Sequence, residues 1–291
     1  MKRNIWMFLV GLLAVSFFSL PLKVSADAAP GDVIVTLGED LTNEQKKQIL
    51  NEMGVPEDIQ PVYVSNKEEH QYLGKYISKA QIGSRAISSS KITIGEKGSG
   101  VNVETKNITW VSEEMYANAL ITAGVKDADV YVTAPFNVSG TAALTGIIKA
   151  YEISADIEIP EEQKLIANEE MVKTAELGDK VGMDKASELM TKIKEEIAKN
   201  PPETKEDLRE LIQKIAKELG IELTEEELNG LVSLFNRMKD LNIDWDQVSS
   251  QLKKVRDNLD EILNSEETKS FIQKVIDFFI AIIDGIKSLF K

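Results

Sequence analysis

The segment Pro135-Phe136-Asn137-Val138-Ser139-Gly140-Thr141 joins a strand-like run to a helix-like one, and here the sequence comes closest to a ligand site. The first amides of a helix have no partner within it and carry the positive end of its dipole. Ser139 and Thr141 supply hydroxyls on either side of Gly140, which lets a ligand approach the backbone, so the turn suits an anion. Capping of the helix by Ser139 accounts for the same residues without a ligand. Positive charge gathers just upstream. Between residues 70 and 110, Lys75, Lys79, Arg85, Lys91, Lys97 and Lys106 face only Glu96 and Glu104, a local +4 in a chain of formal charge −14. Such an island can grip an anionic wall polymer or phosphate, or it can be an ordinary mixed surface in solvent. The candidate anion site is therefore Ser139, Gly140 and Thr141, with Arg85 and Lys91 supplying the charge.

Other patterns fall short of a chemistry. Ser88-Ser89-Ser90-Lys91 has the Ser-x-x-Lys spacing of penicillin-recognising enzymes, but it leads into a strand and no Lys-Thr-Gly accompanies it. Gly95 to Gly100 resembles a phosphate loop but lacks the following Lys-Ser/Thr and is not followed by a helix. The single histidine, His70, lies at the polar start of a helix with no partnered nucleophile. Asp127 and Asp129 miss the spacing of a helix–loop–helix calcium site. Acid pairs such as Glu113-Glu114, Glu161-Glu162 and Glu225-Glu226 sit where first helical turns favour negative charge. With no cysteine, thiol nucleophiles, disulfides and zinc–thiolate or iron–sulfur centres are excluded. No cofactor, metal site or catalytic set is expected. The net acidity disfavours nucleic acid as a partner.

The elements that position these residues fall into two kinds. Over 27–159, strand and helix patterns alternate. Val33-Ile34-Val35-Thr36-Leu37 reads as a strand, and Thr42 with Gln45 opens a helix through Ile49, Leu50 and Met53 that Gly54 ends. Val62-Tyr63-Val64 is a second strand, followed by Tyr72, Leu73, Tyr76, Ile77 and Ala80 at helical spacing. Seventy residues on, Ser112, Leu120, Gly124 and Val125 repeat Thr42, Leu50, Gly54 and Val55, and Val130-Tyr131-Val132 echoes Val62-Tyr63-Val64. Ser139 then caps a helix through Leu144, Ile147 and Ile148 to Tyr151. This makes two β-α-β-α units. Between them, Ile92-Thr93-Ile94 and Val101-Asn102-Val103 flank a glycine-rich turn and read as a hairpin.

Over 160–291 no useful strand run occurs. Pro201 and Pro202 break one helix, Thr204 starts the next, Gly220 ends it, and Thr224 with Glu227 opens another. From Leu231 to Ile262 apolar residues alternate steps of three and four, as in a heptad repeat. Asn242 and Asp244 can break that run into two helices of an antiparallel bundle; an intermolecular coiled coil is the alternative, so an oligomer stays open. Phe271 to Phe290 is the most apolar helix of the chain after its leader. It can be the centre of the bundle, an oligomer interface or a peripheral membrane contact.

The leader is the clearest address signal. Lys2 and Arg3 precede an apolar run from Ile5 to Leu20, Pro21 ends it, and Val24-Ser25-Ala26 offers small residues for cleavage after Ala26, with Ala28 as the alternative. A retained membrane anchor is the other account of that run. Cleavage after Ala26 removes Lys2, Arg3 and Lys23 and no acid, taking the charge from −14 to −17.

Three stretches carry a resemblance: Ala123-Gly124-Val125 through Ala128-Asp129-Val130-Tyr131-Val132-Thr133-Ala134-Pro135, Val138-Ser139-Gly140-Thr141-Ala142-Ala143-Leu144-Thr145-Gly146-Ile147 and Lys149-Ala150-Tyr151-Glu152. They resemble the YpuA-like family of secreted proteins of Gram-positive bacteria, a domain of unknown function. Ala167 to Val172 and Leu241-Asn242-Ile243-Asp244-Trp245 fit the same family. The resemblance implies export and a cell-envelope setting, and no catalytic residue. The expectation is thus a signal peptide over 1–26, an α/β domain over 27–159 with a mixed sheet, and a helical bundle over 160–291. The expected role is non-enzymatic binding or support outside the membrane, with an anionic wall polymer or another envelope protein as partner. The alternatives are a hydrolase acting on envelope material through two carboxylates, and a protein held on the membrane by its last helix.

Overall fold

Thr42 Oγ1 accepts from the Gln45 amide while the Gln45 side chain accepts from the Thr42 amide, the reciprocal cap expected at that helix start. Around such caps the computed structural model describes residues 29–264 apart from Asn242, with side chains as far as Arg256. The expected leader over 1–26 and the helix over Phe271 to Phe290 lie outside the described residues.

The elements run β1 (Val33–Gly38), α1 (Asn43–Glu52), β2 (Val62–Val64), α2 (Asn66–Leu73), α3 (Lys79–Ile82), β3 (Ser89–Ile94), β4 (Val101–Ile108), α4 (Glu113–Ala123), β5 (Ala128–Val138) and α5 (Thr141–Ala155). Five helices follow: α6 (Glu161–Val181), α7 (Met183–Lys199), α8 (Lys205–Glu218), α9 (Glu225–Asp240) and α10 (Trp245–Asn264). The strands form one mixed sheet in the order β2-β1-β3-β5-β4. β1 runs parallel to β2 and β4 parallel to β5, so each β-α-β unit supplies one flank and β3 joins the flanks by antiparallel pairing. The two units also end their first helices alike. Val55 and Val125 donate to Leu50 and Leu120 at 3.1 and 2.9 Å, with Gly54 and Gly124 in the left-handed region.

The expected hairpin does not form. β3 and β4 are separated by β5, which pairs with both. The reason lies in what each strand exposes. β4 carries Asn102, Glu104 and Lys106 at alternate positions and takes an edge, where polar side chains reach water. β5 buries Val130, Val132, Thr133 and Ala134 and takes the interior place beside β3. The helical run after β2 is also interrupted. Gly74 closes α2, and Ser78 with Gln81 opens the short α3.

Val35 and Leu37 pack with Ile49 and Leu50 of α1, and with Met53 just after it, on one face of the sheet. Ile92, Val130 and Val132 pack with α4 and α5 on the other. That second core does not stop at residue 160. Ala167, Met171, Val172 and Ala175 of α6 join it, as do Val248 and Leu252 of α10. A further core among α6, α7, α8 and α9 centres on Leu189, Ile193, Ile212 and Phe235. The heptad-spaced run breaks between Leu241 and Asp244, so its first half serves this core through Leu234 and Met238 and its second half serves the sheet-side core. Asp244 Oδ1 accepts from the Gln247 amide at 3.0 Å, holding the start of α10.

A buried ion pair stitches the helical layers together. Lys194 Nζ of α7 lies 2.7 Å from Glu170 Oε1 of α6, both side chains withdrawn from solvent. Lys194 also donates to the Asn118 carbonyl of α4 at 3.1 Å, and the Thr122 hydroxyl donates to Glu170 Oε2. Burial pushes the Lys194 amine down, and Glu170 opposes the shift.

Candidate functional site

A polar pocket of about 290 Å³ opens where β5 turns into α5. Gly140 makes the turn. It stands in the left-handed region at φ +97°, and a Cβ there would lie 2.4 Å from Tyr116 Oη and 2.6 Å from Ile108 Cγ2. No side chain but hydrogen fits. The Tyr116 hydroxyl, fully buried, donates to the Gly140 carbonyl at 2.5 Å and fixes the turn. Desolvation pushes its own ionisation far upward.

Gly140, not Ser139, is the N-cap of α5, so the capping expected of Ser139 is not observed. The left-handed glycine rotates Ser139 out of the capping position, and a distant residue takes over. Ser88 Oγ, from the segment leading into β3, accepts from the Ala143 amide at 3.1 Å. Ser139 instead joins a chain of polar groups. Its hydroxyl lies 3.2 Å from Thr141 Oγ1, and Thr141 donates to Glu69 Oε1 at 3.0 Å.

Glu69 is the chemically distinctive residue of the pocket. α2 places it there, started by Ser65 and Glu68 in a capping box, and its side chain is 1% exposed. Asn66 Nδ2 donates to Glu69 Oε2 at 3.1 Å. Burial raises its carboxyl from the ordinary 4.5 to about 7; the hydrogen bonds from Asn66 and Thr141 hold the rise back, and the charge of Asp40 adds to it. Asp40 itself does not line the pocket. It is exposed and accepts from the Ala86 amide at 2.8 Å. At the mouth, the exposed guanidinium of Arg85 sits 6.0 Å from the centre of the Phe136 ring, which is 41% exposed.

Of the residues expected to form an anion site, Ser139, Gly140, Thr141 and Arg85 line this one pocket. Lys91 does not. Its Nζ donates to the Met53 carbonyl at 2.9 Å and so serves the end of α1. Lys106 is likewise taken up by Glu52, at 2.7 Å. The basic island of the sequence is thus divided, and Arg85 is its member at the pocket. The Ser-x-x-Lys spacing is also dispersed, since Ser88 caps α5, Ser89 accepts from Gly38 at 3.2 Å and Ser90 bonds Thr36 at 2.7 Å.

The model of a family described as "Protein of unknown function (DUF1002)" matches residues 37–255. The chain belongs to this family. It is 58% identical to "Uncharacterized protein YpuA" of Bacillus subtilis (strain 168), over 99% of this chain and 100% of the relative. No solved structure matches it. In this family member, Glu69, Ser88 and Phe136 complete a pocket that sequence spacing assigns only in part. A first-turn acid is ordinary at a helix start, and nothing local to Glu69 announces its burial. The exposed aromatic between Pro135 and Asn137 is the nearest thing to a signal.

The arrangement offers hydrogen-bond donors of several kinds at one point: Thr141, Ser139, Arg85 and, below about pH 7, the protonated Glu69. It offers one acid and no base–nucleophile pair of the Ser–His kind. Among the described residues, no group of three or more Asp, Glu or His gathers as a metal site, and no helix is long and apolar enough to cross a membrane.

Proposed function

We propose that the chain is an exported binding protein of the cell envelope, and that the pocket at the start of α5 holds an anionic group of a wall polymer. Export rests on the charged, apolar and small-residue layout of residues 1–26. The pocket reading rests on one observation: Arg85, two hydroxyls and a buried acid that is neutral below about pH 7 converge on the first turn of a 15-residue helix. Neutral Glu69 leaves the positive end of that helix and the Arg85 guanidinium unopposed. Ionised Glu69 cancels them. Retention on a wall is therefore expected to be salt-sensitive and stronger at pH 6 than at pH 8.

The test is retention of the purified protein on isolated cell walls. Arg85→Glu should release it, and Lys97→Glu, on an exposed residue away from the pocket, should not. Equal retention of wild type and Arg85→Glu rules the pocket out. The N-terminus of the protein recovered from medium should begin at Asp27.

Glu69 also favours a second reading, a hydrolase, because a carboxyl near pH 7 suits general acid–base work. The two-carboxylate form of that idea finds one acid lining the pocket, with Asp40 engaged elsewhere. Release of soluble fragments from walls, abolished by Glu69→Gln, would establish it over binding.

A further inference from the structure

A second cleft, of about 180 Å³, lies between α2, α5 and α6. Two polar side chains in its lining each hold a buried oxygen with nothing to bond. Thr145 is 4% exposed and Asn168 is 1% exposed, and neither Thr145 Oγ1 nor Asn168 Oδ1 has a hydrogen-bond partner within the protein. The orientation of the Asn168 amide is fixed, because its Nδ2 donates to the Lys164 carbonyl at 2.8 Å. Its Oδ1 is therefore the free end. A threonine in a helix commonly satisfies its hydroxyl on the carbonyl four residues back, as Thr174 does on Glu170 at 2.7 Å. Thr145 does not. Native proteins leave few buried polar atoms unpaired, and two in one cleft point to a partner from outside the chain.

The rest of the lining says what kind of partner. Lys149 Nζ lies 2.6 Å from Glu68, and Lys164 Nζ lies 3.2 Å from Glu152 and 3.3 Å from Glu161. Each cation already has its anion. An entering ion would have to break a pair or meet a like charge, whereas a neutral ligand does neither. These walls both donate and accept, so the ligand must do both as well. Hydroxyl groups meet that need, giving a proton to Asn168 Oδ1 or a glutamate and taking one from a lysine. The half-buried ring of Tyr72 and the side chain of Ile148 add apolar surface for a C–H face. The space equals several waters at about 30 Å³ each, enough for one ring.

We propose that this cleft binds a neutral polyhydroxylated ligand of single-sugar size. The site is separate from the pocket at the start of α5 and stands or falls without it.

The experiment is calorimetric titration of the full mature chain with glucose, N-acetylglucosamine and its soluble tetramer, and with inorganic phosphate as the charged comparison. Saturable binding of a sugar is expected, weakened about tenfold or more by Thr145→Val and by Asn168→Leu, the loss of one hydrogen bond each. Arg85→Glu should leave it unchanged. Tighter binding of the tetramer assigns a glycan chain, and equal binding assigns a free sugar. Should either core variant fail to fold, Tyr72→Ala at the rim gives the same reading. The proposal is overturned if no sugar saturates the protein, as when ordered water alone serves the two oxygens. It is also overturned if phosphate binds in place of sugar, or if Thr145→Val and Tyr72→Ala both bind like wild type.

Discussion

Glu69→Gln should remove a pH dependence of stability that the pocket builds into the fold. The carboxyl titrates at about 7 in the folded chain and at the ordinary 4.5 when exposed. Below pH 4.5 both states are protonated and the group contributes no difference. Between 4.5 and 7 the unfolded chain releases the proton while the folded chain keeps it, so stability falls as pH rises. The fall is complete above 7. A difference of 2.5 units, taken from 4.5 to about 7, corresponds to roughly 3 kcal/mol at about 1.4 kcal/mol per unit. Glutamine keeps the shape and stays neutral. Its carbonyl can accept from Asn66, and its amide can donate to Thr141 Oγ1, whose proton then turns to Ser139. Urea unfolding of both proteins at pH 5, 6, 7 and 8 gives the difference curve, in which every other titrating group cancels. Wild type should lose about 2–3 kcal/mol relative to the variant between pH 5 and pH 8, the rest of the fall lying below pH 5, leaving Glu69→Gln the more stable protein at pH 8. Parallel curves would refute the burial of an acid at this site.

Three further single substitutions and one double variant probe what holds the pocket and the layers in place. Tyr116→Phe removes the hydroxyl that donates to Gly140, and should cost about 1 kcal/mol in urea unfolding, since the carbonyl is left buried. Gly38→Ala would set a Cβ 2.3 Å from the Ala86 carbonyl oxygen, a backbone atom that cannot step aside, and should cost about 1–3 kcal/mol or more. Lys194→Met leaves Glu170 buried without its cation and should cost about 3–5 kcal/mol, while Lys194→Met with Glu170→Leu should recover most of that in thermal melts.

Local chemistry was legible in the sequence wherever a residue's role depends on its near neighbours. Thr42, Ser112, Thr204 and Thr224 each cap the helix expected of them, because a cap is settled within three residues. Ser139 follows the same pattern and fails, because Gly140 in the left-handed region and Ser88, 55 residues from the amide it caps, replace it. The strand positions of β1 to β5 were legible from β-branched runs. Their order was not, since a glycine-rich turn predicts a hairpin and only the burial of β5 decides otherwise. Half of the candidate site was readable for the same reason. Ser139, Gly140 and Thr141 are contiguous, whereas Glu69 reaches Thr141 across 72 residues and leaves no mark in the local pattern.

The late helix α10 closes on an early loop. Lys254 donates to the Gly98 carbonyl across 156 residues, and Gln251 reaches Asp127 at 3.4 Å across 124. Val248 and Leu252 fill the sheet-side core beneath that clasp. As the polypeptide leaves the ribosome, the sheet must therefore wait with an unsealed apolar flank until nearly all of the described chain has been made. Pairings so distant slow the search for the native state.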